Sequence, residues 1–241
     1  MTTEKETKLP ANPIFCAIDT PDLAHAIKLG NSIRSHIGGL KIGLEFFNHQ
    51  GPDGLRKIIE IGAPVFADLK FHDIPNTVAG AVRAIAPLGT RMLNVHASGG
   101  REMMRAALSA AEDSAGSQRP LVIGVTVLTS LNQDDLQHQG VTGSSSDHVR
   151  RLAGLTQEAG LDGVVCSAHE IEILRADCGP DFKLIVPGIR PAGSSVDDQK
   201  RIMTPPEAVK AGADVLVIGR PITKADTPAD AARAICETIG A

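Results

Sequence analysis

Tryptophan and tyrosine are absent from the 241-residue sequence, which leaves six phenylalanines as its large aromatic side chains. Proteins that bind single-stranded nucleic acid without sequence preference stack bases on such side chains along a basic groove. Lysine and arginine number 24 against 28 aspartates and glutamates, for a net charge of −4, and the basic residues form no cluster. The composition argues against an extended nucleic-acid surface, so any phosphate binding has to be local.

Long apolar runs, paired cysteines and histidine clusters are also missing. No run approaches the roughly eighteen apolar residues that cross a bilayer, and residues 1–10 are polar, unlike a secretory signal. No spacing of histidines and carboxylates suggests a metal site. The cysteines are scattered without C-x-x-C spacing: Cys16, Cys166, Cys178 and Cys236. These absences predict a soluble, cytoplasmic protein that binds no metal and no membrane.

Short runs rich in valine, isoleucine and leucine recur eight times, and nearly every one precedes an amphipathic, alanine-rich stretch. The strand candidates are Ile14–Ile18, Gly39–Ile42, Val65–Leu69, Met92–Val95, Leu121–Val127, Gly163–Cys166, Leu184–Val186 and Val215–Ile218. The helix candidates are Leu23–Ser35, Gly54–Ile61, Thr77–Leu88, Met103–Ala111, His148–Ala159, Pro206–Ala211 and Ala229–Ile239. The alternation predicts an α/β fold, a single (β/α)8 TIM barrel over residues 13–241 after a flexible tail at residues 1–12. A doubly wound sheet is the alternative, although no G-x-G-x-x-G follows the first strand.

Polar side chains stand at the carboxyl ends of seven of the eight predicted strands. In a barrel these ends converge on the face that carries the active site. The side chains are Asp19, Lys41, Asp68, Lys70, Asn94, His96, Thr129, Ser130, Arg190 and Arg220. Structural salt bridges alone do not account for this convergence, so the pattern favours an enzyme.

The segment from Asp68 to Thr77 places charged groups at the end of a buried strand. Strand alternation puts Asp68 and Lys70 on the same side. Taken alone, the pair is better explained as a structural salt bridge, with Asp73 capping a helix that Pro75 opens. The full alternating set is Asp19, Lys41, Asp68, Lys70 and Asp73. In such a set carboxylates keep the lysines charged, and a lysine can donate a proton.

Two loops share a glycine-arginine pattern, Pro187 to Arg190 after the seventh strand and Gly219-Arg220 after the eighth. The corresponding loops of TIM barrels often bind phosphate. Between them, residues 191–204 form a loop long enough to close over a ligand, with Gln199 as an amide donor. Turn glycines, a solvated arginine and an ordinary surface loop are the alternative interpretation.

His96, near Asn94, is a candidate for acid–base chemistry or metal binding. A lone histidine at a strand end is more often a hydrogen-bonded structural residue, which is the interpretation favoured here. Six other histidines are predicted to lie at surface or loop positions: His25, His36, His49, His138, His148 and His169.

Five segments taken together closely resemble the bacterial form of the orotidine 5′-phosphate decarboxylase family, over nearly the whole chain. They are Asp68–Thr77, Asn94–Gly100, Val127–Ser130, Pro187–Pro191 and Ile218–Pro221. The resemblance implies a homodimeric (β/α)8 barrel that converts orotidine 5′-monophosphate to UMP and carbon dioxide, the last step of de novo UMP synthesis. It also implies that the enzyme needs neither cofactor nor metal.

The resemblance further implies a role for each matching residue. Lys70 protonates C6 as carbon dioxide leaves, Asp68 lies beside the departing carboxylate, and Asp73 and Thr77 enter the neighbouring subunit's site. Asp19 and Lys41 hold the ribose hydroxyls, and Lys41 joins the charged catalytic set. The other implied contacts are Thr129 and Ser130 with the pyrimidine and the closing loop, Pro187 with the substrate, and Arg190, Gln199, Gly219 and Arg220 on the phosphate side.

Two alternatives remain open at this point. A magnesium-dependent sugar-phosphate decarboxylase or aldolase can share D-x-K-x-x-D and the phosphate loops, although the I-P-N-T and P-G-I-R-P segments speak against it. A barrel that binds UMP without chemistry is the second, and the retained acidic and basic residues make it the weaker one.

Overall fold

A computed structural model describes residues 9–191 and 203–240, and within them eight parallel strands close into a barrel. Each strand pairs with the next along the chain, and β8 pairs with β1. The strands are β1 Ile14–Ile18, β2 Gly39–Ile42, β3 Val65–Phe71, β4 Met92–His96, β5 Leu121–Val125, β6 Gly163–Val165, β7 Lys183–Pro187 and β8 Val215–Ile218. The predicted (β/α)8 TIM barrel is confirmed, with every strand end within two residues of its predicted position.

Helices surround the barrel. They are α1 Leu23–Ile33, α2 Leu44–Ile59, α3 Pro75–Ile85, α4 Arg101–Ala115, α5 Gln133–His138, α6 Ser145–Glu158, α7 Ile171–Cys178, α8 Pro205–Ala211, α9 Arg220–Thr223 and α10 Pro228–Glu237. Short 3-10 turns lie at Ala86–Leu88, Ala97–Gly99, Gly116–Gln118 and Ala168–Glu170. Across residues 9–191 and 203–240, no helix combines the length and apolar character needed to cross a membrane.

The start of α2 corrects a sequence prediction. The helix begins at Leu44, ten residues before the predicted start at Gly54. It consists of two helical pieces joined at a kink, where Gly51 takes a φ of +62° ahead of Pro52. The glycine-proline pair is typical of a loop and concealed the first piece. The sequence also failed to predict the short helices α5, α7 and α9.

Apolar side chains fill the barrel on both faces of the sheet. Phe15 of β1 joins Phe66 and Met92 in one cluster, which lies inside the barrel. The alternate residues Ile14 and Ile18 belong to the larger cluster between the sheet and the helices. Because both faces of the sheet are covered over most of its length, the strands are mostly apolar runs rather than alternating ones.

Two arginine-aspartate pairs fix the amino ends of the strands. Arg119 donates to the two carboxylate oxygens of Asp162, just before β6, at 2.8 and 2.9 Å. Asp162 also accepts the backbone N–H of Val122 at 2.7 Å. Arg175 donates to Asp214, just before β8, at 2.6 Å. These pairs stabilise the end of the barrel opposite the carboxyl ends of the strands.

The chain ahead of β1 already contacts the barrel. Leu9 packs against the cluster inside the barrel. Asn12 donates to the carbonyl of His36 at 3.2 Å and accepts the N–H of Ile14 at 3.0 Å. Residues 1–8 lie outside the described residues, so the flexible tail and its boundary at residue 12 stay a prediction.

Candidate active site

Lys41 links two carboxylates at the carboxyl end of β2. Its Nζ lies 3.4 Å from Oδ1 of Asp19, which follows β1, and 3.3 Å from Oδ2 of Asp68 on β3. The lysine is buried, whereas the side chain of Asp19 is 61% exposed. The pairing spans three adjacent strands, because parallel strands bring their carboxyl ends to one edge.

Asp68 is the centre of this group. Its Oδ1 accepts hydrogen bonds from Nζ of Lys70 at 2.6 Å and from Nδ2 of Asn94 at 2.7 Å. Burial raises the pKa of the Asp68 carboxyl, but the charges of Lys41 and Lys70 and the two hydrogen bonds outweigh it and hold the pKa below its ordinary value. The carboxylate is therefore ionised and stabilises both ammonium groups.

Lys70 has an unusual backbone. Its φ is +51°, in the left-handed region that L residues with long side chains avoid. The pairing of β3 with β4 shifts register between Ala67 and Phe71, and the N–H of Lys70 donates to Oδ1 of Asn94 at 2.7 Å. The sequence correctly predicted that the side chains of Lys70 and Asp68 lie on the same side of β3. It did not predict the left-handed backbone of Lys70, because strand alternation assumes a regular strand.

His96 ends β4 and packs beside His72, with 5.2 Å between the ring centres. Burial lowers the pKa of His96, and the charges of His72 and Lys70 lower it further against an opposing effect of Asp68. Within the part of the chain that the structure describes, the ring of His96 contacts the tilted ring of His72, at an interplanar angle of 34°, and does not make the predicted hydrogen bond. In that part no three histidine, cysteine, aspartate or glutamate side chains come together as a metal site.

The segment from His72 to Thr77 is exposed at the start of α3. The N-cap residue of the helix is Ile74, so the alternative of Asp73 as a helix cap is wrong; Pro75 does open the helix as predicted. Oδ1 of Asp73 accepts the N–H of Ile74 at 2.7 Å. Within a single chain, and among the described residues, neither Asp73 nor Thr77 reaches the cluster around Asp68.

Residues after β5 and β7 occupy the same end of the barrel. Thr129 and Ser130 lie on an exposed turn beyond the end of β5. Pro187 is the last residue of β7, and Gly188 follows with a φ of +79°. Arg190 is buried, and no described residue accepts a hydrogen bond from its Nε.

The loop after β8 carries the last predicted contacts. Gly219 follows the strand directly and lies close to β1, where a Cβ atom would be 3.5 Å from the Cβ of Ala17. Arg220 begins α9 with an exposed side chain. Gln199 lies outside the described residues, so its predicted contact stays a prediction.

Gly43 is a site residue that sequence reasoning missed. A Cβ atom at this position would lie 3.0 Å from Nζ of Lys41 and 3.3 Å from Oδ1 of Asp19. A side chain here would press on the lysine-aspartate pair. The signal in the sequence was a glycine immediately after the strand that carries Lys41.

The arrangement can deliver a proton to a bound molecule. The side chain of Lys70 is 30% exposed, so its ammonium group borders the open end of the barrel, while Lys41 behind it is buried. Asp68 pairs with both lysines, and an ammonium group held in this way stabilises negative charge that develops beside it.

Comparison with known proteins supplies the family context. Residues 12–235 match the family model described as "Orotidine 5'-phosphate decarboxylase / HUMPS family". The orotidine 5′-phosphate decarboxylase of Rhodospirillum rubrum is 56% identical over 96% of both chains. The enzyme of the same name from Paramagnetospirillum magneticum is 51% identical, covering 95% of this chain and 99% of its own.

Solved structures agree with these relatives. The crystal structure of orotidine 5′-phosphate decarboxylase from Lactobacillus acidophilus superposes with a TM-score of 0.85 at 35% identity, covering 95% of this chain and 100% of its own. The corresponding structure from Pyrococcus horikoshii gives a TM-score of 0.77 at 26% identity, covering 95% and 99%. The similarity in sequence and in fold extends over almost the entire chain.

Proposed function

The chain belongs to the orotidine 5′-phosphate decarboxylase / HUMPS family, and from this premise we propose that it decarboxylates orotidine 5′-monophosphate to UMP and carbon dioxide. The reaction is the last step of de novo UMP synthesis, and we place it in the cytoplasm. The observation that carries the proposal is the ion pair of Lys70 with Asp68, 2.6 Å from Nζ to Oδ1, at the open end of the barrel.

The chemical difficulty lies at C6 of the pyrimidine. When the bond from C6 to the carboxylate breaks, its electron pair stays on C6, which has no neighbouring carbonyl to delocalise it. The ammonium group of Lys70 stabilises this pair and then transfers a proton to it, forming UMP. Asp68 holds the ammonium group of Lys70 in place and lies beside the departing carboxylate. No cofactor or metal takes part in these steps.

The rest of the substrate binds around this centre. Asp19 and Lys41 hold the ribose hydroxyls, since the carboxylate of Asp19 is exposed at this end of the barrel and lies 3.4 Å from Nζ of the buried Lys41. The pyrimidine lies near Thr129, Ser130 and Pro187, and the phosphate near Arg190, Gln199, Gly219 and Arg220. Binding energy from the phosphate, far from C6, favours closure over the substrate and raises turnover as well as affinity.

The active unit in this proposal is a homodimer, with Asp73 and Thr77 entering the partner's site. Two features support it. The segment that carries both residues is exposed in the single chain, and Ile74 between them is 67% exposed. Covering this side chain in a dimer would remove its apolar surface from water, which favours association.

Turnover of orotidine 5′-monophosphate by the purified protein, followed by its ultraviolet absorbance in the presence of EDTA, tests the function. We expect the absorbance to fall at a rate proportional to protein. Activity that appears only when Mg²⁺ is restored, and with open-chain sugar phosphates, would overturn the proposal in favour of a metal-dependent relative. Tight UMP binding without any turnover would identify a barrel that binds the nucleotide but does no chemistry.

A further inference from the structure

Asn94 bridges the two strands that carry the proposed catalytic pair. It lies in β4 with 0% of its surface exposed. Its Nδ2 donates to Oδ1 of Asp68 at 2.7 Å, and its Oδ1 accepts the N–H of Lys70 at 2.7 Å. Building on the proposed decarboxylase function, we propose that Asn94 is a positioning residue that holds Asp68 and Lys70 in the geometry for proton transfer without contacting substrate.

The backbone of Lys70 is the first argument. Among the described residues it is the only non-glycine residue with a positive φ, +51°. The register shift between Ala67 and Phe71 interrupts the β3–β4 pairing around Lys70. There the side-chain oxygen of Asn94 accepts a hydrogen bond from the N–H of Lys70. This bond fixes Lys70 in a backbone conformation that lysine does not favour on its own.

The carboxylate of Asp68 is the second argument. One of its oxygens accepts from both Lys70 and Asn94, and the other faces Lys41 at 3.3 Å. The amide adds a hydrogen bond without adding charge, so it orients the carboxylate and leaves the balance of ammonium and carboxylate groups unchanged. The side-chain amide of Asn94 bonds both the backbone of Lys70 and the carboxylate of Asp68. The position of the Lys70 ammonium group relative to Asp68 therefore depends on Asn94.

Two variants test the proposal. Asn94→Leu removes both hydrogen bonds at similar volume, and we expect kcat to fall about 10- to 100-fold, as misplaced catalytic groups do. The Kd for UMP should change less than about threefold, because the ribose pair and the phosphate loops are untouched. Turnover by the unaltered protein tests the decarboxylase function. The ratio of the variant's kcat to that of the unaltered protein tests the positioning role of Asn94.

Asn94→Asp keeps the oxygen that accepts the Lys70 N–H, and it preserves the shape if the leucine variant fails to fold. It places a second carboxyl group against Asp68, and only its protonated form can donate. The nearby charged or titratable groups are the same in both proteins: Asp19, Lys41, Lys70, His72 and His96. The ratio of variant to unaltered kcat should therefore fall as pH rises. If this ratio does not change with pH, the hydrogen bond from Asn94 to Asp68 does not position the catalytic pair, and the proposal is wrong.

Thr156→Val is the matched control for loss of a buried polar group. Thr156 is 0% exposed, and its Oγ1 donates to the carbonyl of Leu152 within α6 at 2.7 Å. It lies against Gly124 of β5, on the helix side of the sheet, and makes no hydrogen bond to Asp68 or Lys70 in the described residues. We expect it to lower the melting temperature while kcat is unchanged. If Asn94→Leu behaves in the same way, with stability lost and kcat intact, Asn94 is structural only and the inference is wrong.

Discussion

Lys70 is constrained through both its backbone and its side chain. Its ammonium group bonds Asp68, its N–H bonds Asn94, and its φ lies in the left-handed region. A residue stays in such a conformation only where its surroundings fix it, and these positions concentrate at functional sites. The constraint fits a group that must present a proton to one carbon atom, since a small displacement slows proton transfer severely.

Replacing Lys70 by alanine should separate chemistry from binding. We expect Lys70→Ala to lower kcat by about 10⁴-fold or more, because it removes both the electrostatic stabilisation and the proton donor. UMP should still bind measurably by calorimetry, since its ribose and phosphate contacts remain. Lys57→Ala, on the exposed side of α2, is the matched control and should leave kcat unchanged. Equal activity of the two variants would refute the role of Lys70.

Asp68 should make the folded state sensitive to acid. Burial raises its pKa, but Lys41, Lys70 and Asn94 together hold it below the ordinary value of 3.8. The unfolded chain therefore takes up this proton at a higher pH than the folded chain does. The contribution of Asp68 is present above that ordinary pKa and is lost as pH falls from about 4 toward the lowered value.

Urea unfolding across this range measures the effect. Between about pH 5 and pH 3, the free energy of unfolding should fall more steeply in the unaltered protein than in Asp68→Asn, which cannot take up the proton. Parallel curves for the two proteins would show that the pKa of Asp68 is not lowered on folding.

The two ends of the strands have different tasks. The carboxyl ends carry the cluster around Asp68, whereas the amino ends carry Arg119 with Asp162 and Arg175 with Asp214. The charged groups at the amino ends bond backbone as well as each other, as Asp162 does with Val122. Stability and chemistry should therefore respond to different substitutions.

Asp162→Ala tests this division. It leaves Arg119 without its bidentate partner in a mostly buried position and Val122 without its acceptor, so we expect a loss of about 2–4 kcal/mol in the free energy of unfolding. The kcat should stay within about twofold. Glu158→Ala, which breaks an exposed ion pair with Arg101, is the control and should cost less than about 1 kcal/mol. A large drop in kcat for Asp162→Ala would contradict the division.

Local patterns in the sequence predicted the strands, because each is a short run dominated by apolar residues and seven of the eight have polar residues at their carboxyl ends. The same patterns placed Asp19, Lys41, Asp68 and Lys70 at one end of the barrel, where the structure brings them together. The bond between Asn94 and Lys70 depends on the register of β3 against β4, which no single strand encodes. The first piece of α2 was missed because a glycine-proline pair interrupts it.

A single chain holds an incomplete version of the proposed site. Asp19, Lys41, Asp68 and Lys70 are in contact, whereas Asp73 lies on an exposed segment beside the exposed Ile74. In a symmetric dimer the same segment of each chain can reach the other chain's barrel. If Asp73 acts across the interface, a dimer of two differently altered chains should regain activity.

Mixing two variants, each of which we expect to have little activity alone, distinguishes action across the interface from action within one chain. In a dimer of Lys70→Ala with Asp73→Asn, one site combines the intact Lys70 of one chain with the intact Asp73 of the other. Random pairing of equal amounts makes half of the dimers mixed, each with one of two sites intact, so about a quarter of the unaltered activity should return. The measurement is decarboxylation after the variants are unfolded together and refolded, with each variant refolded alone as the control. If Asp73 served its own chain, both sites of the mixed dimer would lack a group and no activity would return.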